Sequence, residues 1–77
     1  MNAVIKNKDE LEFAIFCIEN IAKKLDKKPE DIYSFLTEKS SVLNDYVVPT
    51  YDVLHTQGKE YIVEDIISVM RERGLTV

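Results

Sequence analysis

The sequence of 77 residues contains few of the residues that interrupt or cross-link a chain. Two glycines and two prolines leave little material for loops. The single cysteine, Cys17, cannot form a disulfide within the chain, so we expect packing alone to hold the fold together. The lack of a disulfide framework is typical of a reducing compartment, and it favours the cytoplasm.

Long apolar runs are also missing from the sequence. No run approaches the ~18 residues that a membrane-spanning helix requires, so we expect no membrane partner. Residues 3–5 form one short apolar step that is followed by charge, whereas a secretory signal peptide needs a longer apolar region and a small-residue cleavage site. Together with the single cysteine, these features predict a cytoplasmic protein.

Basic residues are outnumbered by acidic ones. Lys and Arg number 10 against 14 for Asp and Glu, which gives a formal net charge of -4. A freestanding nucleic-acid-binding protein normally carries a basic surface that displaces condensed counterions, so this balance argues against nucleic acid as the partner. Hydrophobic residues make up 45% and charged residues 31%, as in folded globular proteins, which excludes a disordered acidic tail.

The length allows one small domain, and we expect it to span residues 1–77. A domain of this size buries only about 60% of the surface that its unfolded chain exposes, so it is marginally stable as a monomer. A partner or a second copy would add apolar contacts. We therefore expect another protein as partner, and exposed parts of the first or last helix could also form a homodimer.

The strongest periodic pattern predicts a helix over residues 8–25. Asn7 is a suitable N-cap, and Glu10 follows three residues later, close to a capping box. Apolar residues recur at three- and four-residue steps, the spacing of one helix face. They are Leu11, Ala14, Ile15, Ile18, Ile21, Ala22 and Leu25. Phe13, Phe16 and Cys17 widen this face, so we expect the helix to be central and covered on most sides.

Proline and serine residues divide the middle of the chain. Pro29 suits the first position of a second helix, because the amide hydrogen that it lacks would be unpaired there. We expect this helix to stop at Ser40, and Ser41 to cap a short third helix. The third helix must end before Pro49, because the residue before a proline is pushed toward extended geometry.

The last third of the chain predicts two more helices. Thr50 can cap a short fourth helix, which Gly58 would close in the left-handed conformation. A closing helix follows over residues 61–73, with Gly74 as its terminating glycine. Candidate strands at residues 3–5 and 46–48 are too short to be stable alone. The sequence therefore predicts an all-α fold, a small bundle of about five helices: two longer, two short and one closing.

Few side chains suggest catalysis. His55 and Asp52 are three residues apart and could share a helix face, but a metal site normally needs three or four ligands. We expect His55 to hydrogen-bond a backbone carbonyl or cap a helix end instead. Cys17 lies in the apolar part of the first helix, where packing is the expected role. With no glycine-rich phosphate loop, we expect neither an enzyme nor a cofactor.

One stretch carries a more specific pattern, DYVVPTYDVLHTQGKEYIVE at residues 45–64. It resembles a family of small bacterial proteins of unknown function. The hallmark is aspartate, tyrosine, two aliphatic residues and proline, followed by YDVLHTQG. The candidate interaction or structural residues of this motif are Tyr46, Pro49, Tyr51, Asp52, Leu54, His55, Thr56, Gln57 and Gly58. Such proteins are often encoded beside ADP-ribosyltransferase-like toxins, so the resemblance implies the antitoxin or accessory component of a toxin–antitoxin pair.

The motif also has a physical interpretation without the family. Pro49, Thr50 and Gly58 would fix a tight helical corner, and Tyr51, Val53 and Leu54 would anchor it in the core. The polar side chains at residues 55–57 then either pair with the neighbouring backbone or face a partner. Burial would favour a fold corner, and exposure would favour a binding surface.

Two functions compete on these observations. The first is a non-enzymatic protein-interaction module that neutralises a toxin, whose acidic surface could occupy a site that otherwise accepts an anionic nucleotide or nucleic acid. The alternative is a nucleic-acid-binding regulator in which a helix-turn-helix-like corner sets residues 61–73 as the recognition helix. Acidic residues outnumber basic ones around that helix, so we rank the regulator second.

Overall fold

The computed structural model describes residues 7–75, and within this range all regular structure is helical. The elements, in chain order, are α1 (Lys8–Leu25), α2 (Pro29–Ser34), a first π-helical segment (Phe35–Lys39), a second π-helical segment (Leu43–Val47), α3 (Tyr51–Leu54) and α4 (Lys59–Glu72). The first π-helical segment continues α2 without a break, so this part of the chain holds five helices. The predicted all-α fold is confirmed. The candidate strand at residues 3–5 lies outside the described residues.

Helix α1 begins and ends through local hydrogen bonds. The Asn7 side chain accepts a hydrogen bond of 2.9 Å from the backbone N–H of Glu10, which confirms the predicted N-cap. At the other end Asp26 adopts the left-handed conformation, with φ of 56°. The backbone N–H of Lys27 donates to the carbonyl of Ala22 over 2.9 Å, which pairs one of the last free carbonyls of the helix. An aspartate therefore occupies a backbone position that glycine usually fills.

The first π-helical segment ends at Ser40, as predicted, and this residue has an extended backbone with φ of -152°. Its hydroxyl donates to the Phe35 carbonyl over 2.7 Å and accepts from the Val42 N–H over 3.4 Å. The second π-helical segment has no side-chain cap, so the prediction that the Ser41 side chain caps this helix is wrong. The hydroxyl of Ser40 thus joins the backbone on either side of the break between the two segments.

Two further capping predictions at residues 50–58 are wrong. The Thr50 hydroxyl donates to the Tyr46 carbonyl of the preceding helix, and its side chain makes no cap for α3. Gly58 has φ of -71° and ψ of 159°, so it is the extended N-cap residue of α4 and not a left-handed closing residue. Helix α3 stops at Leu54, well before the predicted closing residue Gly58, and α4 starts at Lys59.

Helix α4 ends as predicted. Gly74 is left-handed, with φ of 106°, and the backbone N–H of Leu75 donates to the Met70 carbonyl over 3.0 Å. The side chain of Leu75 is half-buried and packs back against the core. None of the helices in residues 7–75 is long and apolar enough to cross a membrane.

One apolar core fills the space between the helices. Its members from α1 and α4 are Phe13, Ala14, Cys17, Ile21, Ala22, Ile62, Val63, Ile66, Ile67 and Met70. Cys17 has no exposed surface, which confirms its predicted packing role. Leu11 and Ile15 are each 46% exposed, so the expectation that α1 is covered on most sides is wrong along this strip. The core occupies the neighbouring strip of α1, centred on Phe13 and Cys17.

Candidate interaction site at the YDVLHTQG corner

A single buried side chain anchors the corner formed by residues 50–58. Leu54 is 3% exposed and joins the core, as predicted. Val53 is 66% exposed, so the expectation that it anchors the corner is wrong. A helix of one turn can bury only one narrow face, and Leu54 occupies that face. Six further residues of the motif are exposed: Pro49, Asp52, His55, Thr56, Gln57 and Gly58.

Tyr51 and His55 form a stacked pair on the outside of this corner. Their ring centroids are 4.5 Å apart and their planes differ by 13°. His55 Nδ1 lies 2.7 Å from the Tyr51 carbonyl oxygen, which confirms the expected bond from His55 to a backbone carbonyl. Because a carbonyl oxygen only accepts, Nδ1 carries the proton in this bond. In the neutral ring Nε2 is then a hydrogen-bond acceptor on an exposed side chain.

Helix α1 completes an aromatic wall beside this pair. Phe13 meets Tyr51 edge-on, with ring centroids 5.2 Å apart and planes at 73°. Phe16 stacks against Phe13 at 6.4 Å and 21°. The edge-on contact of Phe13 with Tyr51 is favourable because the positive edge of one ring faces the negative face of the other. The aromatic rings therefore hold the corner against α1.

A groove of about 310 Å³ lies along this wall, and we call it the corner groove. It is lined by Asp9, Glu12, Phe13, Phe16, Tyr51, His55, Gln57 and Ile62. Three of these residues, Tyr51, His55 and Gln57, belong to the predicted candidate set. The other five come from α1 and α4, which sequence reasoning did not connect with the motif.

The corner groove is electrostatically negative. Burial raises the pKa of the Tyr51 hydroxyl, and the carboxylates of Asp9, Asp52, Glu10 and Glu12 raise it further. Negative charge around a phenol opposes its ionisation, so the contribution of these four carboxylates follows from their negative charge. Lys8 Nζ lies 3.8 Å from Glu12 Oε2, but both side chains are largely exposed and screened by water.

Tyr46 serves the fold and does not line the corner groove. Its hydroxyl donates a hydrogen bond to Asp65 Oδ2 on α4. This hydrogen bond, with burial as the next cause, raises the pKa of Tyr46 to about 12. Thr56 is likewise satisfied locally, because its hydroxyl donates to the Val53 carbonyl over 2.8 Å. The candidate set thus divides between residues that build the corner and residues that line the groove.

The other chemically active side chains stand apart from the corner groove. Within residues 7–75, no three side chains of His, Cys, Asp or Glu are placed to hold a metal ion together. Burial raises the pKa of the Cys17 thiol to about 12, which keeps it protonated at neutral pH. Lys24 on α1 forms ion pairs with α4, at 2.8 Å to Glu64 and 3.8 Å to Glu60.

Comparison with known families identifies the region that contains this site. Residues 12–73 match the family described as Protein of unknown function (DUF3791). The chain belongs to the DUF3791 family. The expected membership of an unknown-function family is therefore confirmed. The DUF3791 region includes the whole corner and every lining residue of the corner groove except Asp9. Searches of curated proteins and of solved structures returned no match.

Proposed function

We propose that this DUF3791 protein is a non-enzymatic interaction module that binds a partner protein through the corner groove. The observation that carries the proposal is the placement of Tyr51, His55 and Gln57. These side chains line an open groove, and His55 and Gln57 are exposed. A motif that served only to turn the chain would need its backbone and Leu54, but not exposed side chains gathered beside two phenylalanines.

The chemistry of the surface suits a protein partner. Tyrosine and phenylalanine give large contact areas at low conformational cost, and they are enriched in the centres of interfaces. Val53 and Tyr61, at 66% and 56% exposure, add apolar area on the outside of α3 and at the start of α4. A small domain that leaves such side chains uncovered gains buried apolar surface when it binds a partner.

We propose a bacterial ADP-ribosyltransferase-like toxin as the partner, which makes this chain the antitoxin or accessory component of a cytoplasmic pair. The resemblance of residues 45–64 to proteins encoded beside such toxins suggests this partner. The charge of the chain fits the same role, since its net charge is -4 and the corner groove is negative. An acidic surface is complementary to a site that accepts an anionic nucleotide, so its binding would block that site.

The exposed face of α4 supports this proposal over the alternative of a nucleic-acid-binding regulator. Glu60, Glu64 and Glu72 are exposed along the helix that would have to approach phosphates. Lys24 lies nearby but is paired with two of these carboxylates. Phosphate recognition needs uncompensated positive charge, and this surface offers little of it.

Co-expression with the ADP-ribosyltransferase-like protein encoded beside this gene tests the proposal. We expect growth to be restored and the two chains to co-purify as a complex. The double variant His55→Ala with Gln57→Ala should weaken the complex, because both side chains are exposed and neither joins the core. Tyr33→Ala, which removes an exposed aromatic residue outside the corner groove, is the matched control. The absence of both complex and growth rescue would rule out this function.

A further inference from the structure

We propose that the corner groove receives the guanidinium group of an arginine side chain presented by the partner protein. This inference rests on the proposed function, because it names the chemistry by which the partner is recognised. The occupant is one cationic side chain, and it follows from the charge, the aromatic surfaces and the hydrogen-bonding groups of the groove.

Charge is the first argument. Asp9 and Glu12 both line the corner groove, and Asp52 stands beside Tyr51 on α3. After burial, which is the largest cause, these carboxylates add to the raised pKa of Tyr51, so their negative charge acts at the aromatic wall. A cation in the groove would be attracted by that field, whereas a phosphate or carboxylate would be repelled. The partner group is therefore positive.

The aromatic rings of the corner groove favour arginine over lysine as the bound cation. Phe13, Phe16, Tyr51 and His55 place four rings along one groove, two of them stacked at 4.5 Å. A cation is attracted to the face of an aromatic ring, and the flat guanidinium group can also stack upon it. A lysine ammonium group is compact and strongly hydrated, so it gains less from such a surface.

The hydrogen-bonding groups of the corner groove complete the match. The carboxylates of Asp9 and Glu12 can only accept hydrogen bonds. His55 Nδ1 donates to the Tyr51 carbonyl, so Nε2 of the neutral ring is also an acceptor. The Gln57 amide adds one more acceptor oxygen. Guanidinium has five N–H donors and no acceptor, so it complements this set. A volume of about 310 Å³ is at the small end for a ligand site and suits one long side chain.

An NMR titration of the intact ¹⁵N-labelled chain tests the inference directly. The probe is N-acetyl-arginine N-methylamide, and the control ligand is the citrulline analogue, which has the same shape without the positive charge. We expect saturable shifts at the residues that line the corner groove, with citrulline weaker by about threefold or more. Equal binding of the two ligands, or shifts scattered over all acidic surfaces, would overturn the inference.

Matched variants distinguish binding in the corner groove from a nonspecific effect of the net negative charge. Asp9→Asn with Glu12→Gln removes two charges from the corner groove, and Glu30→Gln with Asp31→Asn removes two from the start of α2. We expect the first pair to weaken arginine binding about tenfold, since it removes two charge-assisted bonds, and the second pair to leave it unchanged. Equal weakening by both pairs contradicts a specific site.

The toxin complex separates this inference from the proposed function. If the wild-type chain binds the toxin and the Asp9→Asn, Glu12→Gln variant binds it equally well, the arginine inference fails and the interaction module stands. If the wild-type chain forms no complex with the toxin but binds the arginine probe in the corner groove, the assigned partner fails and the arginine site stands.

Discussion

Tyr46 and Asp65 are joined by a hydrogen bond between side chains that lie 19 residues apart in the sequence. The bond connects the second π-helical segment to α4 and is part-buried. The preceding motif residue makes a second link to the end of the same helix, because Asp45 Oδ2 lies 3.5 Å from Arg73 Nη1. Tyr46, at the start of the motif, therefore fixes the position of the corner relative to α4.

Replacing Tyr46 with phenylalanine should reduce the free energy of unfolding by about 1 kcal/mol, because the hydrogen bond to Asp65 is lost while the ring stays packed. The pKa of Tyr46 is raised from 10.0 to about 12, so folding favours the neutral phenol. Its contribution is fully present below pH 10 and is lost as the pH rises to about 12. Urea unfolding across this pH range measures both effects.

Tyr33→Phe is the control for this prediction, because the Tyr33 side chain is exposed on α2. It should leave both the stability and its alkaline dependence close to those of the wild type. A Tyr46→Phe variant that loses stability between pH 10 and 12 as steeply as the wild type would show that other groups cause the loss.

Asp26→Gly should stabilise the protein. Asp26 holds a left-handed backbone, with φ of 56°, and carries a negative charge at the C-terminal end of α1. Glycine removes the steric cost and the unfavourable interaction with the helix dipole, and together these are worth about 1 kcal/mol. Thermal unfolding should show a higher midpoint. The control Asp26→Ala keeps the steric cost and removes only the charge, so its unfolding midpoint should rise less. An equal rise for both variants would contradict the argument from the left-handed backbone.

Gly58→Ser should be tolerated or mildly stabilising, by a few tenths of a kcal/mol. The backbone of Gly58 lies in a region open to every residue, and a Cβ there would meet no atom within 4 Å. Serine can also cap α4, which has no side-chain cap. Gly74→Ala is the contrasting variant, because φ of 106° strains any other residue, and calorimetry should show a clear loss.

Cys17 should be inert while the protein is folded. The side chain is fully buried, and burial raises the pKa of the thiol to about 12. Labelling by a thiol reagent at neutral pH should therefore occur only through unfolding, and its rate should rise with urea. Cys17→Ala should cost about 1 kcal/mol through lost packing and leave partner binding intact. Rapid labelling of the native protein would contradict this account.

The local features of the sequence predicted the long helices well. Asn7 and Gly74 were identified correctly because each acts through its own side chain or its own φ angle. Ser40 was also identified correctly as the end of the second helix, whereas Ser41, Thr50 and Gly58 were assigned wrongly because several polar or small residues compete for each helix end. Which residue caps a helix depends on which carbonyl lies near its side chain after folding. The hydrogen bond from the Thr50 hydroxyl to the Tyr46 carbonyl illustrates this.

Only three of the eight residues that line the corner groove were predictable from the sequence. Tyr51, His55 and Gln57 belong to one motif and could be named together from the sequence. Phe13 and Phe16 lie almost forty residues earlier, and their periodicity indicated only that α1 had a wide apolar face. Contact between α1 and the corner is a result of tertiary packing, so no local pattern could assign these rings to the groove.

The π-helical segments bear on how the length of this chain could change in evolution. A π-helical turn holds one residue more than the hydrogen bonding of an α-helix requires, so each segment resembles an α-helix that has accepted an insertion. Deleting Thr37 would restore α-helical spacing but would move the turn at Ser40, and Leu43 beyond it, relative to Leu36. Both leucines are fully buried, so one would leave the core. Relatives that keep this core should therefore vary in length outside residues 35–47, for example at Lys27 and Lys28, which are exposed.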